Sequence, residues 1–277
     1  MLGVCVDTSK VSGGSVLISN KPSRVKNLSG NIEEVIRAGR IKSSDVARLF
    51  GRLQFAEHQL SGRIGKLALA ELRHLEDCKG SVWLLDEDAK SELDLLKFRL
   101  CHHPPRKLNS CDPEVPVFVF PDGACEPADD GSYLSSVGGV LICGSVKQYF
   151  GGRLDGSLVN RWMDDKKNII GLVELYAVVL ARYHWDSLLR GRRVVFFVDN
   201  VPSMRSLIKG TSSEKQWREL LRRLEFVEMK GPTYSWFARV PSDSNIADGP
   251  SRDDFSGLEQ FEATMPVCIF SRSLIQW

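Results

Sequence analysis

The sequence predicts an α/β fold for residues 111–255, preceded by a mainly helical region. Residues 194–198 form a short apolar run without alternation, which is typical of a strand buried on both faces. Residues 169–189 are apolar nearly all round when placed on a helix, which predicts a buried helix. Further strands are predicted at 115–120, 137–142, 146–154 and 234–240, and further helices at 203–208, 214–227 and 245–252. The element order is therefore βββαβα(α)βα.

The first part of the chain has a different pattern. Residues 1–28 contain two apolar segments separated by a Gly-Gly turn, which predicts a β-hairpin. From about 29 to 103, apolar residues recur at helical spacing. Residues 43–45, Ser-Ser-Asp, offer an N-cap for one helix, and residues 86–100 predict another. Two prolines then break the pattern, so we expect a linker at about 103–113.

Composition limits the possible classes of protein. The 277 residues are 43% hydrophobic and 26% charged, which is ordinary for a globular chain. The sequence predicts neither a transmembrane helix nor a secretory signal, and seven scattered cysteines suit a reducing compartment. We therefore expect a cytoplasmic or nuclear location and no membrane partner. Residues 1–110 carry 18 Lys/Arg and 13 Asp/Glu, against 19 and 22 in the remainder, so the first part could face a polyanion.

Four acids in the second half are candidates for a functional site, and each also has an explanation that needs no such site. Asp122 follows a strand within Pro-Asp-Gly, a common turn signal. Glu174 lies in the long apolar helix, where an ionised carboxylate is costly unless a metal or a distant arginine pairs with it. Asp199 could cap the helix that follows it. Asp248, three residues after Asn245, could belong to a capping box.

Together, the four acids suit a metal site better than four separate turns and caps. Mg²⁺ prefers oxygen ligands and usually takes a few carboxylates together with waters and phosphate oxygens. Two such ions about 3.5–4 Å apart could hold the attacking water and the leaving oxygen of a phosphodiester displacement. The pattern therefore favours a metal-dependent hydrolytic site.

Four short motifs carry a family resemblance. They are Asp122-Gly123-Ala124, Glu174-Leu175-x-Ala177, Asp199-Asn200 and Asn245-Ile246-Ala247-Asp248. In this order they resemble the motifs of the RNase H domain of retroelement reverse transcriptases, and residues 240–252 are similar to the C-terminal motif of DIRS-like or related retrotransposons. The resemblance implies an RNase H-like mixed five-stranded sheet with helices on both faces. It also implies two Mg²⁺ (or Mn²⁺) ions held by the four acids as catalytic residues.

The first part of the chain extends this resemblance. Residues 49–56 followed by Gly62-Arg63-x-Gly65 are similar to the thumb and connection helices of those reverse transcriptases, and residues 2–7 resemble the last strands of the palm. The polymerase centre would then belong upstream of Met1, in the same polyprotein. The implied domains are a palm-end hairpin remnant at 1–28, a helical thumb/connection-like region at 29–110, an RNase H-like domain at 111–255 and a C-terminal tail at 256–277.

Two features depart from the family's pattern. Many RNase H enzymes carry a histidine in the loop before the last acid, but Ser242 or Asp243 stands there and no histidine follows His184. Residues 162–165, Trp-Met-Asp-Asp, have the letters of a polymerase signature. They lie before the long helix without a flanking pair of strands, so an acidic loop is predicted there.

Cationic residues after the second acidic strand suggest contact with nucleic acid. Lys215, Arg218 and Arg222 share one face of the helix predicted at 214–227 and could follow phosphates, in which case binding would weaken with salt. Interleaved glutamates make an ordinary exposed helix face an equally good explanation. Within the motifs, Asn200 and Arg252 are further candidates for nucleic-acid contact.

These features predict an endonuclease that hydrolyses the RNA strand of RNA–DNA hybrids. Its expected partners are the hybrid duplex and the upstream polymerase part of the polyprotein. A catalytically silent nucleic-acid-binding remnant is a second hypothesis, which the presence of all four acids argues against. A DNA-directed nuclease of the same fold is a third, which the thumb-like half argues against.

Overall fold

The computed structural model describes residues 3–60, 65–77, 81–110, 115–127, 133–163 and 169–264. The chain divides into two compact units, Met1–Pro113 and Glu114–Trp277. Gly62 and Arg63 of the thumb-like match lie outside the described residues, as does the tail beyond Thr264. Within those described ranges, every helix is too short or too polar to cross a membrane.

The first unit combines helices with two small sheets. Its elements are β1 (Val4–Asp7), β2 (Ser15–Asn20), α1 (Pro22–Ala38), β3 (Arg40–Lys42), α2 (Ser43–Glu57), α3 (Lys66–Asp77), β4 (Val82–Leu84), α4 (Glu87–His102) and β5 (Arg106–Asn109). The predicted hairpin is confirmed as the antiparallel pair β1–β2. Helix α1 begins at Pro22, before the predicted start of the helical region, because proline is well suited to the first helical turn.

The core of this unit lies between its helices. Apolar side chains of α1, α2 and α4, among them Leu28, Leu53 and Leu93, are almost completely buried. A buried ion pair joins two of these helices, because Arg99 Nε on α4 lies 2.7 Å from Glu57 Oε1 on α2. Burial raises the pKa of Glu57 even with the Arg99 guanidinium beside it. The pair fixes the C-terminal ends of α2 and α4 together.

Two predictions for the first unit were wrong in detail. The side chains of residues 43–45 do not cap α2, since Lys42 is the N-cap and is held extended by pairing with Val82 of β4. The first amide of α2, at Ser43, donates instead to the Ser81 carbonyl at 3.1 Å. The predicted linker at 103–113 contains β5, which pairs with β2 and completes a three-stranded sheet.

The second unit follows the predicted order of elements with additions. Its elements are β6 (Val117–Pro127), β7 (Tyr133–Cys143), β8 (Val146–Arg153), α5 (Gly156–Met163), α6 (Ile170–His184), α7 (Asp186–Leu189), β9 (Arg193–Val198), α8 (Val201–Lys209), α9 (Lys215–Lys230), β10 (Tyr234–Arg239), α10 (Asp248–Ser251) and β11 (Glu262–Ala263). A short 3-10 turn at Ser242–Ser244 precedes α10.

The strands form one mixed sheet in the order β10-β9-β6-β7-β8-β11. Strands β6, β7 and β8 are an antiparallel meander, whereas β9 pairs in parallel with β6, and β10 with β9. This arrangement confirms the predicted RNase H-like sheet of five strands, to which the two-residue β11 adds an edge. The parallel pairs are joined through helices, as parallel strands require.

Glycines allow helices to approach both faces of this sheet. On one face, a Cβ added at Gly123 of β6 would lie 2.8 Å from the Glu174 backbone nitrogen of α6. On the other face, a Cβ at Gly138 of β7 would lie 2.8 Å from the Ala247 carbonyl oxygen, where α10 begins. Because successive side chains alternate across a strand, Asp122 lies on the α10 face. The sheet is therefore covered by α6 on one side and by α10 on the other.

Other departures concern the lengths of elements. The predicted helix at 169–189 is interrupted at Trp185, so it becomes α6 and the short α7. The predicted acidic loop begins instead as helix α5, whose Trp162 is buried against Tyr176, while Asp164 and Asp165 lie outside the described residues. In β9, the side chains of Val194, Phe196 and Val198 are buried, whereas those of Val195 and Phe197 are half-buried, so the predicted burial on both faces holds fully for one face only.

Candidate active site

Asp122 lies within β6 rather than in a turn. The parallel pairing of β6 with β9 covers only Val117 to Val119, whereas pairing with β7 continues to Pro127. Beyond Val119 one edge of β6 is therefore free of β9, and an edge tolerates a proline such as Pro121. The prediction that the first strand ends at Pro-Asp-Gly was wrong for this reason. Asp122 is 3% exposed and occupies the opening where β6 and β9 separate.

Glu174 reaches the same opening from α6. It is 5% exposed, on a helix whose residues 172–182 are all buried. The close packing of α6 on Gly123 brings the helix backbone against β6. The predicted burial of this acid is confirmed. Its charged neighbours among the described residues are the carboxylates of Asp122 and Asp199, so that part of the chain does not support the alternative explanation of a distant arginine partner.

Asp199 directly follows the last residue of β9. It does not cap α8, because the Asn200 side chain is the N-cap and accepts from the Ser203 N–H at 3.0 Å. The Ser203 hydroxyl donates to the Asn200 Oδ1 as well, at 2.9 Å. One oxygen of Asp199, Oδ2, accepts from the Ser242 hydroxyl at 3.0 Å. Ser242 thus occupies the loop where the family pattern has histidine, and it contacts the acid.

The carboxylates of Asp122, Glu174 and Asp199 come together, with one oxygen from each within 4.8 Å of the others. Burial raises the pKa of Glu174 to about 10, and the negative charges of the other two acids add to this shift. Burial also raises the pKa of Asp122 to about 6, with Asp199 and Asp248 contributing. Without a counter-charge, the cluster therefore favours protonated carboxyl groups.

A divalent cation fits this cluster. Oxygen Oε2 of Glu174 and oxygen Oδ1 of Asp199 are both buried without a hydrogen-bond partner among the described residues. Buried polar oxygens are normally satisfied, so two unpartnered oxygens beside a third carboxylate fit the ligands of a cation. Three carboxylates are the hard oxygen donors that Mg²⁺ and Mn²⁺ take. These three residues could hold a divalent ion.

Asp248 stands apart from the three-acid cluster. It is the first residue of α10, which packs on β6, β7 and β8 on the face that Asp122 occupies. Its carboxylate is half-exposed and lies 3.1 Å from Arg252 Nε, yet its charge raises the pKa of Asp122. The predicted convergence is therefore present for three acids, with the fourth beside them. The capping-box alternative was wrong, because α10 has no side-chain cap.

Two residues around Asp122 were not recognised from the sequence. Asn245 Nδ2 donates to Asp122 Oδ1 at 3.0 Å, and the Ser251 hydroxyl donates to Asp122 Oδ2. Both residues belong to the C-terminal motif. Its family resemblance indicated a functional role for them but did not show that they contact Asp122. They lie 123 and 129 positions from Asp122, so no local pattern could pair them with it.

The residues predicted to contact nucleic acid have different surroundings. Lys215 is exposed at the first position of α9, and Arg218, half-buried, donates to the Ser213 carbonyl at 3.1 Å. Arg222 is half-buried one turn further along α9. Arg252 pairs with Asp248 and, at 2.7 Å, with Glu126. Contact of these residues, or of Asn200, with nucleic acid stays a prediction.

Comparisons with known proteins give structural similarities only. No protein-family model and no curated protein matches this sequence. The chain is similar to the structure of RNase H1 from the archaeon Halobacterium salinarum NRC-1, at 16% identity and a TM-score of 0.36, over 50% of this chain and 96% of that one.

Two further structures are similar to the chain. The N-terminal RNase H domain of rv2228c from Mycobacterium tuberculosis has 12% identity and a TM-score of 0.35, over 50% of this chain and 92% of that one. The foamy viral protease-reverse transcriptase in complex with an RNA/DNA hybrid has 13% identity and a TM-score of 0.39, over 67% of this chain and 25% of that one. These TM-scores are too low to support an argument by themselves, so the fold class rests on the strand order described above.

Proposed function

We propose that the second unit is a metal-dependent endonuclease that hydrolyses the RNA strand of RNA–DNA hybrids. The observation that carries this proposal is the convergence of three acids, Asp122, Glu174 and Asp199, in an opening of an RNase H-like sheet. Their order along the chain, with Asp248 last, is the order of the family's motifs. The unsatisfied oxygens of Glu174 and Asp199 favour an active site over a silent remnant.

In this function, the four acids would bind metal ions and Arg252 would contact the substrate. Two divalent ions, when bound, would activate a water and stabilise the leaving oxygen of an in-line displacement. Asp122, Glu174 and Asp199 would hold the ion in the buried part of the opening. Asp248 is half-exposed beside them, so it would complete the site on the solvent side. Arg252, which pairs with Asp248, would meet the nucleic-acid backbone there.

The decisive experiment is cleavage of matched duplexes by the purified chain. RNA–DNA, RNA–RNA and DNA–DNA duplexes of one sequence are incubated with Mg²⁺, with Mn²⁺ and with chelator. Metal-dependent cuts in the RNA strand of the hybrid alone are expected. Cuts in the DNA duplex would support a DNA-directed nuclease instead, and binding of the hybrid without any cleavage would support a silent remnant.

We further propose that the chain is the C-terminal part of a retroelement reverse transcriptase, of the DIRS-like or a related type. The thumb-like motif at 49–56 lies on α2, in a helical unit, and the hairpin β1–β2 has the palm-like sequence. The upstream polymerase part of the same polyprotein would be the physiological partner of this chain.

This chain alone is not expected to polymerise DNA. Among the described residues, one group of three acids is close enough to hold a metal ion, and it is the group in the second unit. A polymerase site would need a second group. Primer extension with nucleotides and Mg²⁺ tests this, with hybrid cleavage by the same preparation as the positive control. Any template-dependent extension would contradict the proposal.

Lys215→Gln is expected to weaken hybrid binding and to reduce its salt dependence. Each phosphate contact contributes about −0.9 to the slope of log K against log salt, so losing one contact should lower the slope by about 1. Binding is measured across a salt series. Lys230→Gln is the matched control, because Lys230 is exposed at the opposite end of α9. Equal effects of the two substitutions would mean a general charge effect.

A further inference from the structure

Both carboxylate oxygens of Asp122 accept a hydrogen bond from a buried side chain. Oδ1 accepts from Asn245 Nδ2 at 3.0 Å, and Oδ2 accepts from the Ser251 hydroxyl. Asn245 is 5% exposed and Ser251 is 0% exposed, so neither donor has water as an alternative partner. The carboxylate of Asp122 is thus held at two points, whereas Glu174 Oε2 and Asp199 Oδ1 have no donor among the described residues.

The segment that supplies these donors is fixed to the sheet. The Ser136 hydroxyl on β7 donates to the Ser251 carbonyl oxygen, and Asn245 Nδ2 also lies 3.3 Å from the Pro121 carbonyl oxygen. Gly138 and Gly151, paired on neighbouring strands, leave room for the α10 backbone. The segment therefore has little freedom to move relative to Asp122.

The same segment carries the fourth acid. The Ser251 hydroxyl also lies 2.8 Å from the Asp248 carbonyl oxygen, so its single hydrogen is shared between that carbonyl and Asp122 Oδ2. A serine hydroxyl that only bonded back to its own helix would touch Asp248 alone. Contact with Asp122, on a strand 129 positions away, gives it a second partner.

We propose that Ser251, assisted by Asn245, is a positioning residue that orients the Asp122 carboxylate for the metal ion. The two hydrogen bonds that the Asp122 carboxylate accepts leave its remaining lone pairs directed at the opening that it shares with Glu174 and Asp199. Ligating carboxylates are commonly hydrogen-bonded in this way, and loss of such a partner costs about 10–100-fold in metal affinity or activity. This inference rests on the proposed metal site, and its test does not depend on RNA cleavage.

The test measures metal binding without substrate. Binding of Mg²⁺ to the full chain is followed by isothermal titration calorimetry, and the midpoint of the saturation curve gives the apparent affinity. Ser251→Ala is expected to raise this midpoint about tenfold while cleavage falls by about the same factor. Ser251→Cys keeps the volume and has a weak S–H donor, so it should shift the midpoint in the same direction while preserving the fold.

Ser136→Ala is the matched control. It removes a serine hydroxyl that anchors the same segment but touches none of the acids. A smaller shift than in Ser251→Ala is expected for this variant, because the segment loses one anchor while both donors to Asp122 remain. An unchanged midpoint in Ser251→Ala, an equal shift in Ser136→Ala, or no detectable binding of Mg²⁺ at all would overturn the proposal. A shifted midpoint in a chain that cleaves no hybrid would uphold the positioning role and reject the nuclease function.

Discussion

Asp199→Asn is expected to lower metal-dependent hydrolysis of the hybrid by roughly three powers of ten, which is about 4 kcal/mol of transition-state stabilisation. The substitution keeps the size of the side chain but removes the negative charge next to Glu174. An asparagine oxygen can still accept from the Ser242 hydroxyl, so the local hydrogen bond survives. Single-turnover cleavage in saturating Mg²⁺ measures the effect.

The stability of the same variant distinguishes a role of Asp199 as a metal ligand from a purely structural role. Helix α8 is capped by Asn200, so Asp199→Asn should not weaken the start of that helix. Removal of the Asp199 charge beside the two other acids should raise the melting temperature in chelator. Asp253→Asn is the matched control, because Asp253 is exposed and its left-handed backbone, with φ of 60°, accepts asparagine readily. Near-normal cleavage by Asp199→Asn would refute its assignment as a ligand.

Much of this fold could be predicted because its long elements have unambiguous patterns. The helix α6 is apolar around its circumference, and β9 is a short apolar run, so both were located from the sequence. Short elements such as β3 and β5 were missed. They are held by pairing with a distant strand, and their three or four residues are too few to show periodicity.

The error at Asp122 shows how tertiary pairing overrides a local signal. Pro-Asp-Gly favours a turn in isolation, but ten consecutive residues of β6 pair with β7, and that ladder continues through the proline. The same separation of β6 from β9 that makes the proline tolerable also creates the opening for the three acids. The strand extension and the site therefore have one structural cause.

The candidate site could be predicted only in part, because chemically equivalent residues stand side by side. Asp199 and Asn200 are both good helix caps, and only the structure assigns the cap to Asn200. Asn245 fitted a capping box by spacing, yet its amide donates to Asp122 on β6. Glu174 could be identified from the sequence alone, since a single acid in a buried helix has few alternative explanations.

The protonation of Glu174 should control stability in the absence of metal. Burial, followed by the charges of Asp122 and Asp199, raises its pKa from 4.5 to about 10. The folded state therefore binds this proton more tightly than the unfolded state does. The resulting contribution to stability is fully present below the unfolded pKa and is lost as the pH rises towards the folded pKa. The pKa of Asp122 is raised from 3.8 to about 6, so its contribution to stability is also lost as the pH rises, over a lower pH range.

Glu174→Gln should therefore stabilise the metal-free chain, increasingly so as the pH rises. The melting temperature in chelator is measured for both chains from about pH 6 to about pH 9. The variant should exceed the unsubstituted chain by at least about 3 °C at the upper end, since about 1 kcal/mol corresponds to a few degrees in a chain of this size. Glu219→Gln, which removes an exposed glutamate of α9, should show no such divergence.

Mg²⁺ provides the complementary measurement for Glu174. A divalent cation supplies the counter-charge that the cluster lacks, so it should raise the melting temperature of the unsubstituted chain most at high pH. Glu174→Gln loses a ligand and should respond little to Mg²⁺, and its hybrid cleavage should fall as steeply as that of Asp199→Asn. A constant difference in melting temperature between the two chains across the pH range, with an equal response to Mg²⁺, would show that Glu174 neither has a raised pKa nor binds the metal ion. A difference that grows with pH in chelator and reverses in Mg²⁺ would identify metal binding as the reason for an acid in this buried helix.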